Sequence, residues 1–381
     1  MSFFQPPPKP ASPLGYHRLL SPSAGIKVAP LCLGAMNFGT KWVDLMGECS
    51  KEQAFDLMDA YYEMGGNFID TANVYQDEES ETWIGEWMEK RGVRDQMVIA
   101  TKFTGSHRKH AMGSEMQSNF SGNSAKSLHH SINASLKKLK TDYIDILYVH
   151  WWDFTTPIEE VMHALNDWVV RGKVLYLGVS DTPAWIVSQA NQYARDHGLR
   201  PFVLYQGRWS ASCRDMEREI IPMCKAQGMG ICPWGTLSRG HIKSEEERES
   251  RNANPEGRNH SHRPASEADI QVSKVLEGIA KSKGKSVQGV ALAWVYHKTP
   301  YVFPIVGGRK VEHLRSNVDA LTISLSEEEM KTIDDAGKFD PGFPMNMLHM
   351  GPWKLDFTPS DMMGVTNIDS VPQPKPIPPR S

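Results

Sequence analysis

From about residue 16 to about residue 320, the chain alternates short runs of β-branched and aromatic residues with longer stretches of helical period. That alternation constrains the fold more than any other feature, because strands joined through helices pair in parallel and are covered on both faces. Eight runs read as strands: Leu31–Leu33, Asn67–Asp70, Met97–Lys102, Ile144–Val149, Val174–Val179, Phe202–Gln206, Gly230–Cys232 and Tyr301–Ile305. Most are apolar almost throughout, as strands buried on both sides must be.

The intervening stretches carry helix signals. In Lys51–Met64, residues Ala54, Leu57, Met58 and Tyr61 fall at i, i+3, i+4 and i+7 behind Ser50 as N-cap, and Gly65-Gly66 ends the helix. Similar stretches are Glu81–Arg91, Ala125–Leu139, Pro157–Arg171 with proline in its first turn, Pro183–His197, Met216–Gln227 and Asp269–Ala293, the last long enough for two helices. The expected fold class is α/β, a (β/α)8 TIM barrel. A doubly wound open sheet competes, but the strand count and the lack of a GxGxxG turn after any early strand count against it.

Before the first unit, YHRLLSPSAGIKVAP reads as a β-hairpin that plugs the N-terminal end of the barrel. The organisation expected is a Pro-rich, disordered 1–15, a barrel over 16–339, and a tail over 340–381. That tail is Met-, Phe- and Trp-rich, expected partly over the barrel mouth, and ends in a disordered VPQPKPIPPRS. Two connections, Phe103–Asn123 and Thr236–Ser266, are too long for ordinary turns and emerge at the C-terminal face, where barrel sites form.

Composition limits the function classes. The 42 Lys and Arg against 45 Asp and Glu leave a formal charge of −3, so no excess gathers nucleic acid or an anionic membrane. Five cysteines, widely spaced and without a CxxC pair, suggest neither a disulfide framework nor a zinc knuckle, and read as reduced thiols. No secretory leader and no long uncharged apolar stretch is seen, so a cytoplasmic location is expected. Oligomeric state has no signal.

Strand ends supply the chemistry. Asp70 closes the second strand with Tyr75 on the loop beyond it, Lys102 closes the third, and His150 follows the fourth. Taken singly, these read as a turn former, a packed aromatic, a surface charge and a core histidine. Together, at the functional end of consecutive units, they converge on one mouth. The set suits acid catalysis by Tyr75: a neighbouring ammonium lowers a phenol whose ordinary pKa is ~10, Asp70 keeps Lys102 charged and aimed, and a neutral His150 orients a carbonyl oxygen. No metal or nucleophile is needed.

The segments D-T-A-x-x-Y (Asp70-Thr71-Ala72, Tyr75), Ser80-Glu81 and Ile84-Gly85 resemble the signature of the aldo-keto reductases, with coverage from about Tyr16 to Ala336. FIDTANVYQDEESETWIGEWM, YVHWWD and GVSDTPAW are most similar to the fungal aryl-alcohol dehydrogenase and norsolorinic acid reductase branch. The resemblance implies Tyr75 as proton donor, Lys102 and Asp70 as its tuners, His150 as substrate orienter, and NADP(H) as cofactor for an aldehyde or ketone and its alcohol. It implies nicotinamide contacts from Ser180, Asp181 and Gln206. The family's commoner Asn is Asp181 here, which accepts from a carboxamide NH2 but cannot donate to its oxygen.

The resemblance further implies cofactor contacts from Gly34, Ala35, Met36 and Asn37 on the first loop, with Asp70 also facing the cofactor. It adds Pro233, Trp234, Gly235, Leu237, Ser238 and Gly240 after strand seven, and Gly307, Gly308, Arg309, Lys310, His313 and Asn317 around the adenosine. Arg309 and Lys310 sit where a 2′-phosphate would bind, which favours NADP. Ser316 replaces the family's usual Glu or Gln. Tyr75, His150 and Trp151 are the expected substrate contacts, with Trp152 a further candidate for an aromatic wall.

Two other functions compete. A metal-dependent hydrolase would need more carboxylate or His ligands at the rim, and His241, His260 and His262 lack compact ligand spacing, so no metal is expected. The loop holding them reads as a solvated lid over the cofactor, and His107-Arg108-Lys109-His110 as a solvated cluster. A cofactor-sensing subunit, resembling the barrel subunits attached to potassium channels, would keep the fold and the four strand-end residues, with redox-dependent partner binding as its function.

Overall fold

The computed structural model of the chain describes residues 6–253, 264–351, 353, 355, 359–364 and 371–380. An antiparallel hairpin, β1 (Arg18–Ser21) and β2 (Ala24–Val28), precedes eight parallel strands. These are β3 (Cys32–Gly34), β4 (Phe68–Asp70), β5 (Val98–Phe103), β6 (Ile144–Val149), β7 (Val174–Ser180), β8 (Phe202–Arg208), β9 (Gly230–Trp234) and β10 (Ile305–Val306). The sheet runs β10-β3-β4-β5-β6-β7-β8-β9. A parallel bridge between Ile231 and Val302 joins its two edges, with Ile231 N–H donating to Tyr301 O at 2.9 Å and Phe303 N–H to Ile231 O at 2.8 Å. The sheet is a (β/α)8 barrel.

Helices alternate with the strands as their caps dictate. Ser50 and Gln53 form a capping box on Lys51–Glu63, and Ser266 with Asp269 and Ser326 with Glu329 do the same for Glu267–Lys283 and Glu327–Ala336. The long 269–293 stretch is two helices, Glu267–Lys283 and Val287–Lys298, broken by the left-handed Gly284. Pro157 stands at the N-cap of Ile158–Val170, one residue before the first turn expected of it. The last strand is shorter than its apolar run, because Tyr301–Pro304 is spent on the irregular bridge to β9.

Two apolar layers lie between strands and helices, and a third fills the barrel. In that third layer the hairpin's Leu20, Ala24 and Val28 pack with Cys32, Phe68, Cys232 and Phe303, so β1–β2 closes the N-terminal end. The fit is close: a Cβ on Gly230 would lie 2.3 Å from Leu20 O. With the bottom sealed, the open end is the one carrying the strand C-termini.

Two boundary expectations are corrected. Residues 12–15 were assigned to a disordered N-terminus, yet Pro13–Gly15 is a 3-10 turn capped by Ser12, with Leu14 fully buried and Ser12 Oγ donating to Met64 O at 2.7 Å. The tail is expected partly over the mouth and loose at its end. Among its described residues, Asp340 O accepts from Arg218 Nε and Leu355 O from Lys225 Nζ, and the Arg380 guanidinium stacks on Tyr16 at 3.9 Å, so these parts lie on the outer wall and the end is tied down. Apolar Leu355 and Trp353 dock on the outer core there, which outweighs any pull toward the mouth. Among the described residues no helix is long and apolar enough to cross a membrane.

Gly230→Ala should push the hairpin plug out of register with β9. Overpacking against backbone costs ~1–3 kcal/mol, so urea unfolding should shift to a lower midpoint with an unchanged slope.

Candidate active site

Four consecutive strand ends build the mouth. Asp70 is the last residue of β4, Lys102 the penultimate residue of β5, His150 follows β6, and Ser180 ends β7. Lys102 is fully buried, and its Nζ donates to Asp70 Oδ1 at 2.6 Å, to Thr71 O at 2.6 Å and to the Tyr75 hydroxyl at 3.4 Å. Gln206 Nε2 donates to the other Asp70 oxygen at 2.8 Å, so the carboxylate is held from both sides. The Tyr75 ring stands edge-on to the half-buried His150 ring, centroids 5.8 Å apart.

Burial sets the electrostatics. It pulls the Lys102 ammonium down, but Asp70 and Tyr75 more than reverse this, and the net shift is upward, so Lys102 stays charged. Burial raises the Asp70 carboxyl, opposed by Lys102 and Gln206. The expectation for Tyr75 is corrected in sign: Lys102 does draw the phenol down, but burial is the larger effect and leaves it above its ordinary value. Tyr75 therefore holds its proton. His150 is driven well below the usual histidine range by burial and then by the Lys102 charge, and is neutral. Its Nδ1 is enclosed without a hydrogen-bond partner among the described residues.

A second buried network holds the Tyr75 loop. Lys138, at the end of helix Ala125–Lys138, bridges Glu78 Oε1 at 2.9 Å and Glu81 Oε2 at 2.7 Å and donates to Asn73 O at 3.2 Å. Glu81 also accepts from Thr101 Oγ1, and Ser80 Oγ bonds Thr71 Oγ1 and Ala35 O. Gly85 permits this approach, since a Cβ there would lie 2.2 Å from Lys138 O. The Ser80-Glu81 and Gly85 positions are thus scaffolding for Tyr75. Lys138 was missed because nothing in its local sequence separates it from the neighbouring surface lysines.

A cleft follows the rim from β7 to β10. The exposed Asp181 adopts φ 41°, and its two oxygens each accept from Trp234 Nε1 at 3.2 Å, while Ser180 Oγ reaches Oδ2 at 3.4 Å. The desolvating walls around it push its carboxyl up to about 6. Arg239 lies over the Trp234 ring at 5.2 Å, and Gly235 and Gly240 both have positive φ. Gly307 and Gly308 expose backbone ahead of the helix Val311–Asp319, whose N-cap Lys310 makes no side-chain cap and leaves its first N–H groups open. Asn37 Nδ2 donates to Gly308 O at 2.7 Å, and Arg309 Nη1 to Glu48 O at 3.0 Å.

This long trough of exposed backbone, a carboxylate acceptor at one end and two cations at the other fits a dinucleotide. Met36, Leu237 and His313 stand along it, and Pro233, Ser238 and Asn317 are buried in its walls. Two of the expected contacts are held tightly in the fold. Ala35 is fully buried behind β3, its N–H given to Asp70 O and its carbonyl to Ser80. Gly34 packs against Ile305, where a Cβ would stand 2.7 Å from Cγ2.

The aromatic wall also differs from expectation. Trp151 is exposed with its ring 4.6 Å from His150, but Trp152 is buried in the outer core. Trp42 stands 6.2 Å from the Tyr75 ring, on a loop without a periodic signal. His107 is buried against Phe120 rather than solvated. Among the described residues no three His, Cys, Asp or Glu side chains gather as a metal site, and His260 and His262 lie outside those residues.

Comparison with known proteins agrees with this geometry. The aldo/keto reductase family model matches residues 30–338. The chain belongs to the aldo/keto reductase family. It is 58% identical over 333 residues to norsolorinic acid reductase B of Dothistroma septosporum, covering 87% of this chain and 84% of that one. It is 50% identical over 380 residues to norsolorinic acid reductase A of Aspergillus parasiticus, covering 98% and 95%. With the aryl-alcohol dehydrogenase [NADP(+)] of Phanerodontia chrysosporium it shares 53% identity over 359 residues, 90% and 91% of the two chains. Family and relatives place this aldo/keto reductase among oxidoreductases.

Lys138→Met should leave the fully buried Glu81 without its cation. Breaking such a pair costs ~3–5 kcal/mol, to be read as a fall in the denaturant midpoint well beyond that of Lys140→Met on the surface.

Proposed function

We propose that this aldo/keto reductase is an NADP(H)-dependent enzyme interconverting an aldehyde or ketone, aromatic by preference, with the corresponding alcohol, Tyr75 being the proton donor. The observation that carries the reading is the buried Lys102 ammonium, bonded at once to Asp70 and to the Tyr75 hydroxyl beside a neutral His150. The relatives' names, aryl-alcohol dehydrogenase [NADP(+)] among them, support the cofactor and the substrate class.

Bound NADPH supplies a hydride to the carbonyl carbon. The chain's own groups manage the oxygen. Neutral His150 orients it by a hydrogen bond, and Tyr75, kept protonated by burial, gives it a proton as negative charge grows there. Lys102 then stabilises the phenolate, without needing to move, because Asp70 and Thr71 O already fix the ammonium. Asp181 would hold the nicotinamide by accepting from its carboxamide NH2, and Arg309 and Lys310 would hold a 2′-phosphate by charge.

Tyr75→Phe removes only the donor. Turnover of an aryl aldehyde should fall ~10²–10⁴-fold with NADPH binding, followed by fluorescence, nearly unchanged. Turnover close to wild type would overturn the assignment. Replacing both Arg309 and Lys310 by Ala should weaken NADPH at least ~10-fold while leaving NADH almost unaffected; equal losses for the two would remove the 2′-phosphate role.

A further inference from the structure

The turn presenting Tyr75 is strained in a way that the four catalytic side chains do not explain. Gln76, Asp77 and Glu78 follow one another with φ of 53°, 50° and 82°, three successive residues in a region costly to side chains with a Cβ. Such a run persists where surrounding groups over-determine it. Each side chain here is tied to another element.

Glu78 is taken by Lys138. Gln76 and Asp77 are taken by the loop after β3. Gln76 Nε2 donates to Met36 O at 3.1 Å, and its Oε1 accepts from the Trp42 backbone N–H at 2.8 Å. Asp77 Oδ1 accepts from Trp42 Nε1 at 3.1 Å. Gly39 presses on the same turn, where a Cβ would lie 2.3 Å from Gln76 Cβ. Trp42 thus grips two of the three strained residues, and its ring stands edge-on to Tyr75 at an interplanar angle of 74°.

We propose that Trp42 is a positioning residue for Tyr75 and, resting on the carbonyl-reductase reading above, the wall that selects an aryl substrate. The first role follows from the indole N–H, which fixes Asp77 and with it the left-handed turn. The second follows from placement. Tyr75 meets two rings edge-on, Trp42 with centroids 6.2 Å apart and His150 at 5.8 Å, and Trp151 lies 4.6 Å from the His150 ring. A carbonyl whose oxygen meets Tyr75 and His150 has its substituent within reach of the Trp42 ring beside Tyr75. Trp42 is only half-buried, so its ring offers apolar surface to an aryl group, while a short alkyl group leaves that surface wet.

Two measurements separate the roles. In the cofactor-free full-length protein, hydrogen exchange of the segment 75–80 should quicken about tenfold in both Trp42→Phe and Asp77→Ala, and no further in the double variant, because one hydrogen bond is lost in each. Exchange at the wild-type rate in Trp42→Phe, or additive effects in the double variant, would overturn the positioning role. With NADPH, the kcat/KM ratio of benzaldehyde to butyraldehyde should be kept in Trp42→Phe and fall about tenfold or more in Trp42→Ala. An unchanged ratio in Trp42→Ala would overturn the selecting role. Should the wild-type protein turn over neither aldehyde, the reductase reading and the selecting role both fall, and the exchange comparison decides the positioning role alone.

Discussion

Everything at the barrel mouth depends on one buried ammonium. A lysine nitrogen stripped of water costs several kcal/mol unless its donors are met, and Lys102 meets them with the Asp70 carboxylate, the Thr71 carbonyl and the Tyr75 hydroxyl. Those partners come from β4 and the loop after it, while Lys102 comes from β5. The parallel pairing of the two strands therefore sets the catalytic distance, and no flexible segment lies between the cation and the acid that tunes it. Below this polar layer the barrel is apolar down to the hairpin plug, so the charge has no hydrated route away from the mouth.

Holding the proton donor is the harder task, since Tyr75 lies on a loop. The chain meets it by surrounding the strained 76–78 turn from three directions: helix Ala125–Lys138 through Lys138, the first loop through Trp42 and Met36, and β5 through Lys102. The first loop is in turn pinned to the Gly307–Lys310 segment, Asn37 bonding Gly308 O and Glu48 O receiving Arg309. The group that delivers the proton and the cations facing the far end of the cleft are thereby parts of one hydrogen-bonded frame.

Much of this was legible in the sequence, for definable reasons. Continuous apolar runs and period-3.6 patterns survive in an α/β barrel, and Asp70, Lys102 and His150 sit at strand ends that those patterns locate. Tyr75 was found through the motif around it, since its loop has no period. What escaped was long-range: Trp42 and Lys138 act through partners 35 and 65 residues away, and neither carries a local signature. The sign of the Tyr75 shift escaped for a related reason. Proximity to Lys102 can be inferred from strand order, but burial of the phenol depends on the whole closed mouth. The tail was misplaced because its apolar residues say that it docks, not where.

Asp181 shows how a departure from a family's usual residue can be consistent within its own site. A carboxylate in place of a carboxamide brings a charge into a desolvated cleft and loses a donor, and on its own that change is unfavourable. Here Trp234 supplies an indole N–H to both oxygens, Ser180 adds a hydroxyl, and the charges of Lys102 and Arg239 draw the group toward ionisation. These offset part of the desolvation and leave the group poised at about 6 rather than neutral throughout. The outcome is polar order along the rim: the Asp181 acceptor at the β7 end, Arg309 and Lys310 beside β10, and between them a tryptophan whose ring carries Arg239 on one face. Under the proposed function, that order would give a dinucleotide one direction in which to lie, and so one face to present toward Tyr75.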